Sequence, residues 1–266
     1  MGLRNRLAGR LPADILPLVP NHFEVIGDVA VISLPAGLEP YGKILAETVV
    51  SGRKNIVTVL LRTARITGTE RTARYEVLLG GTTVTVHREF GFAYRIDVGR
   101  SFFSARMAYE RKRVTDQAEP GERVYVPFAG VGPFAIPAAA RGADVVAVEL
   151  NPAAFRYLAE NIGLNKVVKH CRALQGDALD PGILPGDRFD RIIIPAPYGM
   201  DRAAERLLPL VDEGGMAHIY TFRPKEEMPD LLATFGGRGF TVTYSAPCGN
   251  VAPGISRWVI DLARPL

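Results

Sequence analysis

Val124-Tyr-Val-Pro-Phe-Ala-Gly-Val-Gly-Pro-Phe-Ala-Ile-Pro137 and, a few small residues later, Asp144-Val-Val-Ala-Val-Glu-Leu-Asn-Pro152 decide the fold of this chain. The first apolar run ends in a Gly-x-Gly turn, Gly130 to Gly132, and a helix of small residues is predicted from about Phe134 to Arg141. The second apolar run ends on Glu149. This pattern predicts a β-turn-α-β unit, whose first turn lets a ligand approach the backbone and whose second strand delivers a carboxylate.

The Gly-x-Gly turn separates two kinds of nucleotide site. A dinucleotide-binding turn carries a third glycine three residues later, and this chain has Ala135 there. A carboxylate at the end of the next strand, here Glu149, is suited to accept hydrogen bonds from ribose hydroxyls. Glycines alone could serve only to make a tight turn. Together with the acid, they favour a nucleoside-binding site.

The composition is that of a soluble globular protein. The 266 residues are 47% hydrophobic and 23% charged, and a chain of this length buries one large core or two modest ones. No apolar run is long enough to span a bilayer, and the N-terminus lacks the apolar stretch of a secretory signal. A cytoplasmic protein without a membrane partner is therefore expected. Around Cys171 and Cys248 the spacing fits no metal site, so no metal is expected.

Positive charge is concentrated in the middle of the chain. The net charge is +4, but residues 53–113 contain 13 Lys and Arg against five Asp and Glu. The flanking segments are slightly acidic. A basic segment beside an acidic unit indicates that one part holds a polyanion and the other processes it. The simpler alternative is that arginine is merely a common surface residue in this protein.

The order of elements predicts three segments. Residues 1–100 are expected to form a small, mostly antiparallel α+β module that binds RNA or positions the substrate. Residues 101–118 contain a connecting helix. Residues 119–266 are expected to form a Rossmann-like α/β domain with a seven-stranded, mostly parallel sheet.

Individual elements are predicted from periodicity and turn signals. Leu3, Leu7 and Leu11 lie at helical spacing and indicate a short helix that docks through one face. Asn151 and Pro152 are typical of a helix start. Strands are predicted at about 23–26, 29–34, 56–61, 82–87, 93–98, 171–175, 189–194, 215–222, 240–244 and 258–262, and further helices at 41–50, 102–115, 152–162 and 203–211.

Three motifs together resemble a known family. Phe128-Ala-Gly-Val-Gly-Pro-Phe134, Glu149-Leu-Asn-Pro152 and Glu160-Asn-Ile-Gly-Leu-Asn165 resemble the Rossmann-like, class I S-adenosylmethionine-dependent methyltransferases. More narrowly, the chain is similar from about Leu16 onward to the archaeal and eukaryal family that modifies guanine at tRNA position 37. The resemblance implies S-adenosylmethionine as cofactor, the tRNA anticodon stem-loop as partner, and a monomer. It implies a cofactor site made by Phe128, Gly130, Gly132, Glu149, Asp177 and Pro195.

A second segment bears the residues that the resemblance implies for catalysis. Phe103-Ser-Ala-Arg-Met-Ala-Tyr-Glu-Arg111 resembles a family segment whose glutamate is the general base, which makes Glu110 the candidate. Guanine N1 carries a proton, so it is a poor nucleophile until a carboxylate begins to remove it. The simpler interpretation of Glu110 is a solvated helix glutamate that pairs with a nearby arginine.

Arginines are expected to stabilise charge and to hold RNA. Gly68-Thr-Glu-Arg-Thr-Ala-Arg-Tyr-Glu76 resembles a segment that supplies an arginine to the negative charge developing on guanine O6, and Arg71 aligns best with it. Arg74 is the alternative, and either could instead contact a phosphate. The residues expected to bind the RNA backbone are Arg74, Arg106, Arg111, Lys112 and Arg113.

Two departures from the family pattern leave the reaction open. Val126 replaces an acid that helps to hold the methionine amine, and Ile193 stands where a polar residue is expected before Pro195. His218, within an apolar strand, is interpreted as a core histidine. N1-methylation of guanine 37 is the first hypothesis. The alternatives are aminocarboxypropyl transfer to demethylwyosine in wyosine synthesis, favoured by Glu149 and by the short N-terminus, and a non-catalytic cofactor- or RNA-binding relative.

Overall fold

The computed structural model describes residues 2–63, 74–184, 186–200 and 202–266. The chain divides into two compact units, residues 1–105 and 106–266. Arg71, the arginine expected to stabilise the O6 charge, lies outside the described residues.

The first unit contains a four-stranded sheet and a separate hairpin. The sheet has the order β1-β2-β3-β4, in which β2 and β3 are parallel and the other neighbours antiparallel. Strands β5 and β6 pair antiparallel as the hairpin. The elements are α1 (Leu3–Leu7), β1 (Glu24–Ile26), β2 (Val29–Ile32), α2 (Gly42–Gly52), β3 (Thr58–Arg62), β4 (Tyr75–Leu79), β5 (Val84–Glu89) and β6 (Phe92–Asp97).

The N-terminal leucines dock as expected on a helix shorter than predicted. Leu3, Leu7 and Leu11 are all buried in one hydrophobic cluster with residues of α2 and β2. The helix ends at Leu7 because Gly9 takes a left-handed conformation, with φ of 77°. The chain then bends, and Leu11 reaches the same cluster from outside the helix.

Strand β4 was not predicted. It pairs antiparallel with β3 and forms one edge of the sheet. Its side chains are half-buried or exposed rather than regularly alternating, so the period-2 signal is weak. Its first residue, Tyr75, belongs to the segment 68–76, which the resemblance identifies as the source of the arginine near guanine O6.

The second unit has the predicted α/β architecture. Its seven-stranded sheet has the order β12-β13-β11-β10-β7-β8-β9, and all neighbours are parallel except those involving β13. The elements are α3 (Ala108–Thr115), β7 (Arg123–Pro127), α4 (Ala135–Ala140), β8 (Asp144–Glu149), α5 (Pro152–Leu164), β9 (Cys171–Gln175), β10 (Phe189–Ile194), α6 (Ala203–Leu207), β11 (Val211–Arg223), α7 (Met228–Gly237), β12 (Thr241–Ala252) and β13 (Ile255–Ala263).

The strand order places a ligand crevice next to β7. The chain runs outward from β7 through β8 to β9, then returns to the other side of β7 as β10. In an open parallel sheet, such a reversal leaves a crevice beyond the carboxyl ends of the two strands that flank it. The Gly-x-Gly turn follows β7 at this crevice, and Pro195 follows β10.

Helix α5 begins where the sequence predicted. The Asn151 side chain accepts hydrogen bonds from the backbone N–H groups of Ala153 (2.9 Å) and Ala154 (3.2 Å), and Pro152 occupies the first turn. Helix α7 was not predicted, because Gly236 and Gly237 at its end are poor helix formers. Within the described ranges, no helix has the length and apolar composition needed to cross a bilayer.

Replacing Leu7 with alanine tests the docking of α1. Leu7 is fully buried, so Leu7→Ala should lower the free energy of unfolding of the first unit by about 2–5 kcal/mol. Leu18→Ala is the matched control, because Leu18 is 55% exposed and its loss should change little. Urea unfolding curves measure both. Equal midpoints for the two variants would mean that α1 is not docked in solution.

Candidate active site

The turn after β7 is held in an unusual backbone conformation. Phe128, Gly130 and Gly132 all have positive φ, of 53°, 58° and 95°. A left-handed conformation costs glycine little, but it strains a bulky residue such as phenylalanine. Backbone strain of this kind clusters at ligand-binding sites, where the surrounding structure maintains it. Three of the six residues that the resemblance implies for the cofactor site thus lie in one loop, residues 128–132, whose backbone is strained at Phe128.

Glu149 fixes this loop from the neighbouring strand. One carboxylate oxygen, Oε2, accepts a hydrogen bond from the backbone N–H of Gly130 at 2.7 Å. The other, Oε1, accepts from the N–H of Asn151 at 2.8 Å. The acid thus links the turn after β7 to the start of α5. A carboxylate at the end of β8, beside the half-buried turn at Gly130, is the acceptor that suits the ribose hydroxyls of a nucleoside.

The underside of the loop is closely packed. A Cβ atom on Gly132 would approach the terminal methyl carbons of Ile136 and Leu158 to 2.8 Å, so only glycine fits without movement. The Asn161 side chain, which is fully buried, donates to the carbonyl of Val131 at 3.0 Å. Both contacts hold the loop against α4 and α5, the first two helices of the unit's β-α-β core.

Asp177 and Pro195 lie at the same edge of the sheet. Asp177 follows β9, is exposed, and accepts a hydrogen bond from the N–H of Leu179 at 2.9 Å. This hydrogen bond closes an Asx turn, a geometry that aspartates commonly adopt. Pro195 follows β10 and is half-buried. The parallel strands therefore bring all six cofactor residues implied by sequence to one edge.

Glu110 is enclosed by donors. It lies in the first turn of α3, and its carboxylate accepts from Arg113 one turn later, with Nη2 to Oε1 at 2.8 Å and Nε to Oε2 at 2.9 Å. The hydroxyl of Tyr220 on β11 donates to Oε1 at 3.0 Å. The arginine partner matches the simpler interpretation of Glu110, but the side chain is 13% exposed rather than solvated.

Arg113 connects Glu110 to a chain of buried charges. Its other side pairs with Asp261 on β13, with Nη1 to Oδ2 at 2.6 Å and Nη2 to Oδ1 at 3.1 Å. Asp261 Oδ1 lies 2.7 Å from Nδ1 of His218, and Nε2 of His218 lies 2.7 Å from Nη1 of Arg191. Arg191 in turn donates to Glu122 at 2.9 Å. We call Glu110, Arg113, Asp261, His218 and Arg191 the buried charge chain.

The contacts of His218 fix its tautomer. Arginine has no acceptor, so Nε2 facing Arg191 must accept and Nδ1 must carry the proton donated to Asp261. Burial lowers the pKa of His218, and the charges of Arg191 and Arg113 lower it further against the opposing effect of Asp261. His218 is thus a neutral, hydrogen-bonded core histidine, as the sequence indicated.

The partners of the carboxylate and the guanidinium keep both charged. Burial would raise the pKa of Asp261, but hydrogen bonds from His218 and Arg113 outweigh it and bring the pKa below its ordinary value. Burial would lower the pKa of Arg113, but the bonds to Glu110 and Asp261 raise it. Charges that are buried with partners on both sides are retained.

Tyr220 contacts both Glu110 on α3 and Phe134, which follows the Gly-x-Gly turn. Its ring lies 5.4 Å, centroid to centroid, from that of Phe134. Its hydroxyl reaches Glu110, and burial raises its pKa well above the ordinary value. Tyr220 carries no functional signal in the sequence, because an aromatic residue in an apolar strand is typical of a core position. His218, two residues earlier in β11, is likewise interpreted from the sequence as a core residue.

Two of the arginines expected to bind RNA are not on an open surface. Arg111 is 3% exposed, and the guanidinium of Arg113 is held by Glu110 and Asp261. A phosphate contact needs an accessible cation, so the burial of Arg111 and the two carboxylate partners of Arg113 do not favour the expected phosphate contacts at these positions. Arg74, Arg106 and Lys112 are exposed, and Lys112 forms an ion pair with Asp116.

The two departures from the family pattern are both buried. Val126 and Ile193 are fully inaccessible side chains near the carboxyl ends of β7 and β10. Neither can hydrogen-bond to a ligand. Among the described residues, no group of His, Cys, Asp and Glu is arranged to hold a metal ion.

Comparison with protein families covers nearly the whole chain. Residues 85–234 match the TRM5/TYW2 methyltransferase domain, and residues 3–83 match the TYW2 N-terminal domain. The tRNA (guanine(37)-N(1))-methyltransferase Trm5b of Pyrococcus abyssi is 36% identical, over 85% of this chain and 70% of its own. The tRNA(Phe) (4-demethylwyosine(37)-C(7)) aminocarboxypropyltransferase of Pyrococcus horikoshii is also 36% identical, over 98% of this chain and 95% of its own.

Solved structures of both proteins share the fold. The crystal structure of P. abyssi Trm5b superposes with a TM-score of 0.83 and 32% identity, covering 96% of this chain and 78% of that one. The structure of P. horikoshii TYW2 in complex with MeSAdo superposes with a TM-score of 0.79 and 31% identity, covering 98% of this chain and 97% of that one. The fold predicted from the sequence is confirmed.

Adding a methyl group at Gly132 should destabilise the second unit. Gly132→Ala has to adopt a positive φ and displace Ile136 and Leu158, which we expect to cost about 2–4 kcal/mol in the free energy of unfolding. Gly163→Ala is the control, since Gly163 lies in α5 with open space around it and should stabilise the helix slightly. Thermal melts compare the two. A Gly132→Ala variant as stable as the control would contradict the geometry of this loop.

His218 should make stability depend on pH in the mildly acidic range. The unfolded chain takes up a proton near the ordinary histidine pKa, about 6.5, whereas folded His218, with its lowered pKa, does not. The contribution of His218 is therefore fully present above about pH 7 and is lost as the pH falls, by at most about 1.4 kcal/mol per pH unit.

The measurement is urea unfolding of wild type and His218→Gln between pH 7.5 and 5. The variant should lose less stability on acidification than wild type, although it starts less stable. His22→Gln, which replaces an exposed histidine, controls for the loss of an imidazole. Parallel pH dependences for wild type and His218→Gln would show that His218 is protonated equally in both states.

Proposed function

Because this chain belongs to the TRM5/TYW2 family, we propose that it is an S-adenosylmethionine-dependent transferase that modifies the base at position 37 of tRNA. We further propose that the group transferred is 3-amino-3-carboxypropyl and that the acceptor is C7 of a demethylwyosine-type base. This differs from the first hypothesis drawn from the sequence, which was N1-methylation of guanine.

The observation that carries the choice is the match of residues 3–83 to the TYW2 N-terminal domain. The alignment with the aminocarboxypropyltransferase covers 98% of this chain, and the alignment with Trm5b covers 85%. Since identity is 36% to both relatives, sequence identity does not separate the reactions, and the family of the N-terminal residues supports aminocarboxypropyl transfer.

The buried apolar end of β7 supports the same choice. In the family pattern an acid before Phe128 helps to hold the methionine amine, and here Val126 is fully buried in its place. The valine side chain offers the amine no acceptor, so the amino acid end of the cofactor would have to be held by other groups. A different placement of that end would turn its carbon rather than the methyl group toward the base.

The chain's own residues are arranged to hold the nucleoside and to take up a proton. The strained loop 128–132 and Glu149 would hold the adenosine part, with Asp177 and Pro195 at the same edge. Bound S-adenosylmethionine supplies a carbon made electrophilic by the sulfonium, whose sulfur keeps the electron pair of the broken bond and leaves as a neutral thioether. The base must then lose the hydrogen on its bonding atom, and Glu110 would accept that proton.

Exposed cations would hold the anticodon stem-loop. Arg74, Arg106 and Lys112 are accessible and lie in the basic stretch 53–113. Contacts of this kind contribute affinity that falls with salt rather than base specificity. For Arg71, which aligns with the arginine expected near O6, the proposal rests on sequence alone.

N1-methylation of guanine 37 remains the second candidate, favoured by Glu110. A carboxylate held near the cofactor loop suits removal of the N1 proton as well as it suits removal of a C7 proton. The 36% identity to Trm5b extends over the segment that contains Glu110 and the Gly-x-Gly turn.

A double-label assay should separate the two reactions. The protein is incubated with S-adenosylmethionine labelled either in the methyl group or in the carboxypropyl chain, together with tRNA(Phe) that carries 4-demethylwyosine or unmodified guanine at position 37. Nuclease digestion then shows where label resides. We expect carboxypropyl label in the tricyclic base and no methyl label in either tRNA.

The other outcomes decide against the proposal in different ways. Methyl label in guanine would make the chain an N1-methyltransferase. Methyl label in the tricyclic base would assign methylation of demethylwyosine instead. Failure of both labels, with protein that is folded by circular dichroism, would favour the non-catalytic relative.

A further inference from the structure

Glu110 is engaged unequally at its two oxygens. Oε1 accepts from the Tyr220 hydroxyl at 3.0 Å and from Nη2 and Nε of Arg113 at 2.8 and 3.1 Å, whereas Oε2 accepts only from Nε of Arg113 at 2.9 Å. A carboxylate oxygen has two lone pairs. Among the described residues, therefore, Oε1 has no acceptor capacity left, and Oε2 keeps one lone pair.

The donors that create this asymmetry are themselves rigid. Tyr220 is 2% exposed and packs its ring against Phe134, so its hydroxyl cannot turn away. The Arg113 guanidinium lies 4.6 Å from the ring centroid of Tyr244 and is clamped by Asp261 on its far side. Glu110 is thus held between two fixed donors from α3 and β11.

Asp261 is in turn oriented by His218. The neutral histidine donates Nδ1–H to Asp261 and receives Nη1–H from Arg191, which leaves neither ring nitrogen unsatisfied. The side chains of His218, Asp261 and Arg191 are buried, so water cannot replace a lost hydrogen-bond partner among them at low cost. Rotation of the Glu110 side chain would therefore break its bonds to Arg113 or displace Arg113 from Asp261 on β13.

We propose that Tyr220 and Arg113 are positioning residues that fix Glu110 so that Oε2, and not Oε1, receives the proton from the base. This assignment rests on the proposed function and adds which atom acts and what holds it. Asp261 and His218 act through Arg113, as the part of the buried charge chain that keeps its guanidinium fork in place. Tyr220 itself exchanges no proton in the reaction, because its hydroxyl hydrogen is committed to Oε1.

The test is Tyr220→Phe, which removes one hydroxyl and keeps the ring against Phe134. We expect the single-turnover rate of group transfer to fall about tenfold, since a hydrogen bond to a charged group is lost, while the dissociation constants for tRNA and S-adenosylmethionine stay unchanged. Tyr157→Phe is the matched control. Tyr157 is also 2% exposed, and within the described part of the chain its hydroxyl hydrogen-bonds with Arg156 on α5, away from Glu110.

A double-mutant cycle distinguishes positioning from general support of the sheet. Glu110→Gln alone should slow transfer about 100-fold, as loss of a general base does. If Tyr220 acts through Glu110, Tyr220→Phe should have less than about a twofold effect in the Glu110→Gln background. Arg113→Lys, which keeps the charge but loses the fork, is the second variant and should behave in the same way.

Two results would overturn the assignment. Active wild-type protein with a Tyr220→Phe rate equal to that of Tyr157→Phe would remove the positioning role and leave the proposed function intact. Rate effects that multiply in the double mutants would assign Tyr220 and Arg113 to general stability. Transfer of neither label by wild-type protein would overturn the proposed function and this assignment together.

Discussion

The hydrogen bond from the Gly130 N–H to the Glu149 carboxylate is the interaction on which the candidate site depends. It joins the turn after β7 to the end of β8 across 2.7 Å, at the middle one of the three positive-φ positions Phe128, Gly130 and Gly132. Without an acceptor there, the strain at Phe128 would relax and the backbone would no longer present itself to a ligand. The same carboxylate then sets the start of α5 through Asn151, so one side chain fixes both the site and the helix behind it.

A second constraint comes from the strand pairing of the sheet. Strand β13 lies antiparallel beside β11, in a register that places Asp261 opposite His218, and β10 places Ile193 on the other side of His218. The buried charge chain follows this register across the sheet. Each charged side chain of this set has a partner of opposite charge, which offsets the cost of burying it in the apolar interior. At the candidate site, the Arg113 guanidinium of this set donates to both oxygens of Glu110.

How much of the fold and of the candidate site could be predicted depended on how far apart in the sequence the contacting residues lie. The turn at Gly130 and the acid at Glu149 are close in sequence and carry a local signal, so fold and cofactor edge followed from spacing and resemblance. Tyr220 reaches Glu110, and Asp261 reaches Arg113, from more than 100 residues away, through strand register that no local pattern records. Arg113 was assigned to RNA because a run of three cations is usually solvated, whereas its helical position turns it toward β13. Strand β4 and helix α7 carried weak periodicity and weak helix propensity.

The two reactions considered for this chain differ both at the base and at the cofactor. N1-methylation removes a proton from N1 of guanine, whereas aminocarboxypropyl transfer removes one from C7 of the tricyclic base, and Glu110 is proposed to take that proton in either case. At the cofactor, the reactions differ in which carbon beside the sulfonium faces the base, and that depends on how the amino acid end of the cofactor is held. The buried side chain of Val126 offers that end no polar atom at the carboxyl end of β7. The choice between the two reactions therefore bears on the residues around Val126 as well as on Glu110.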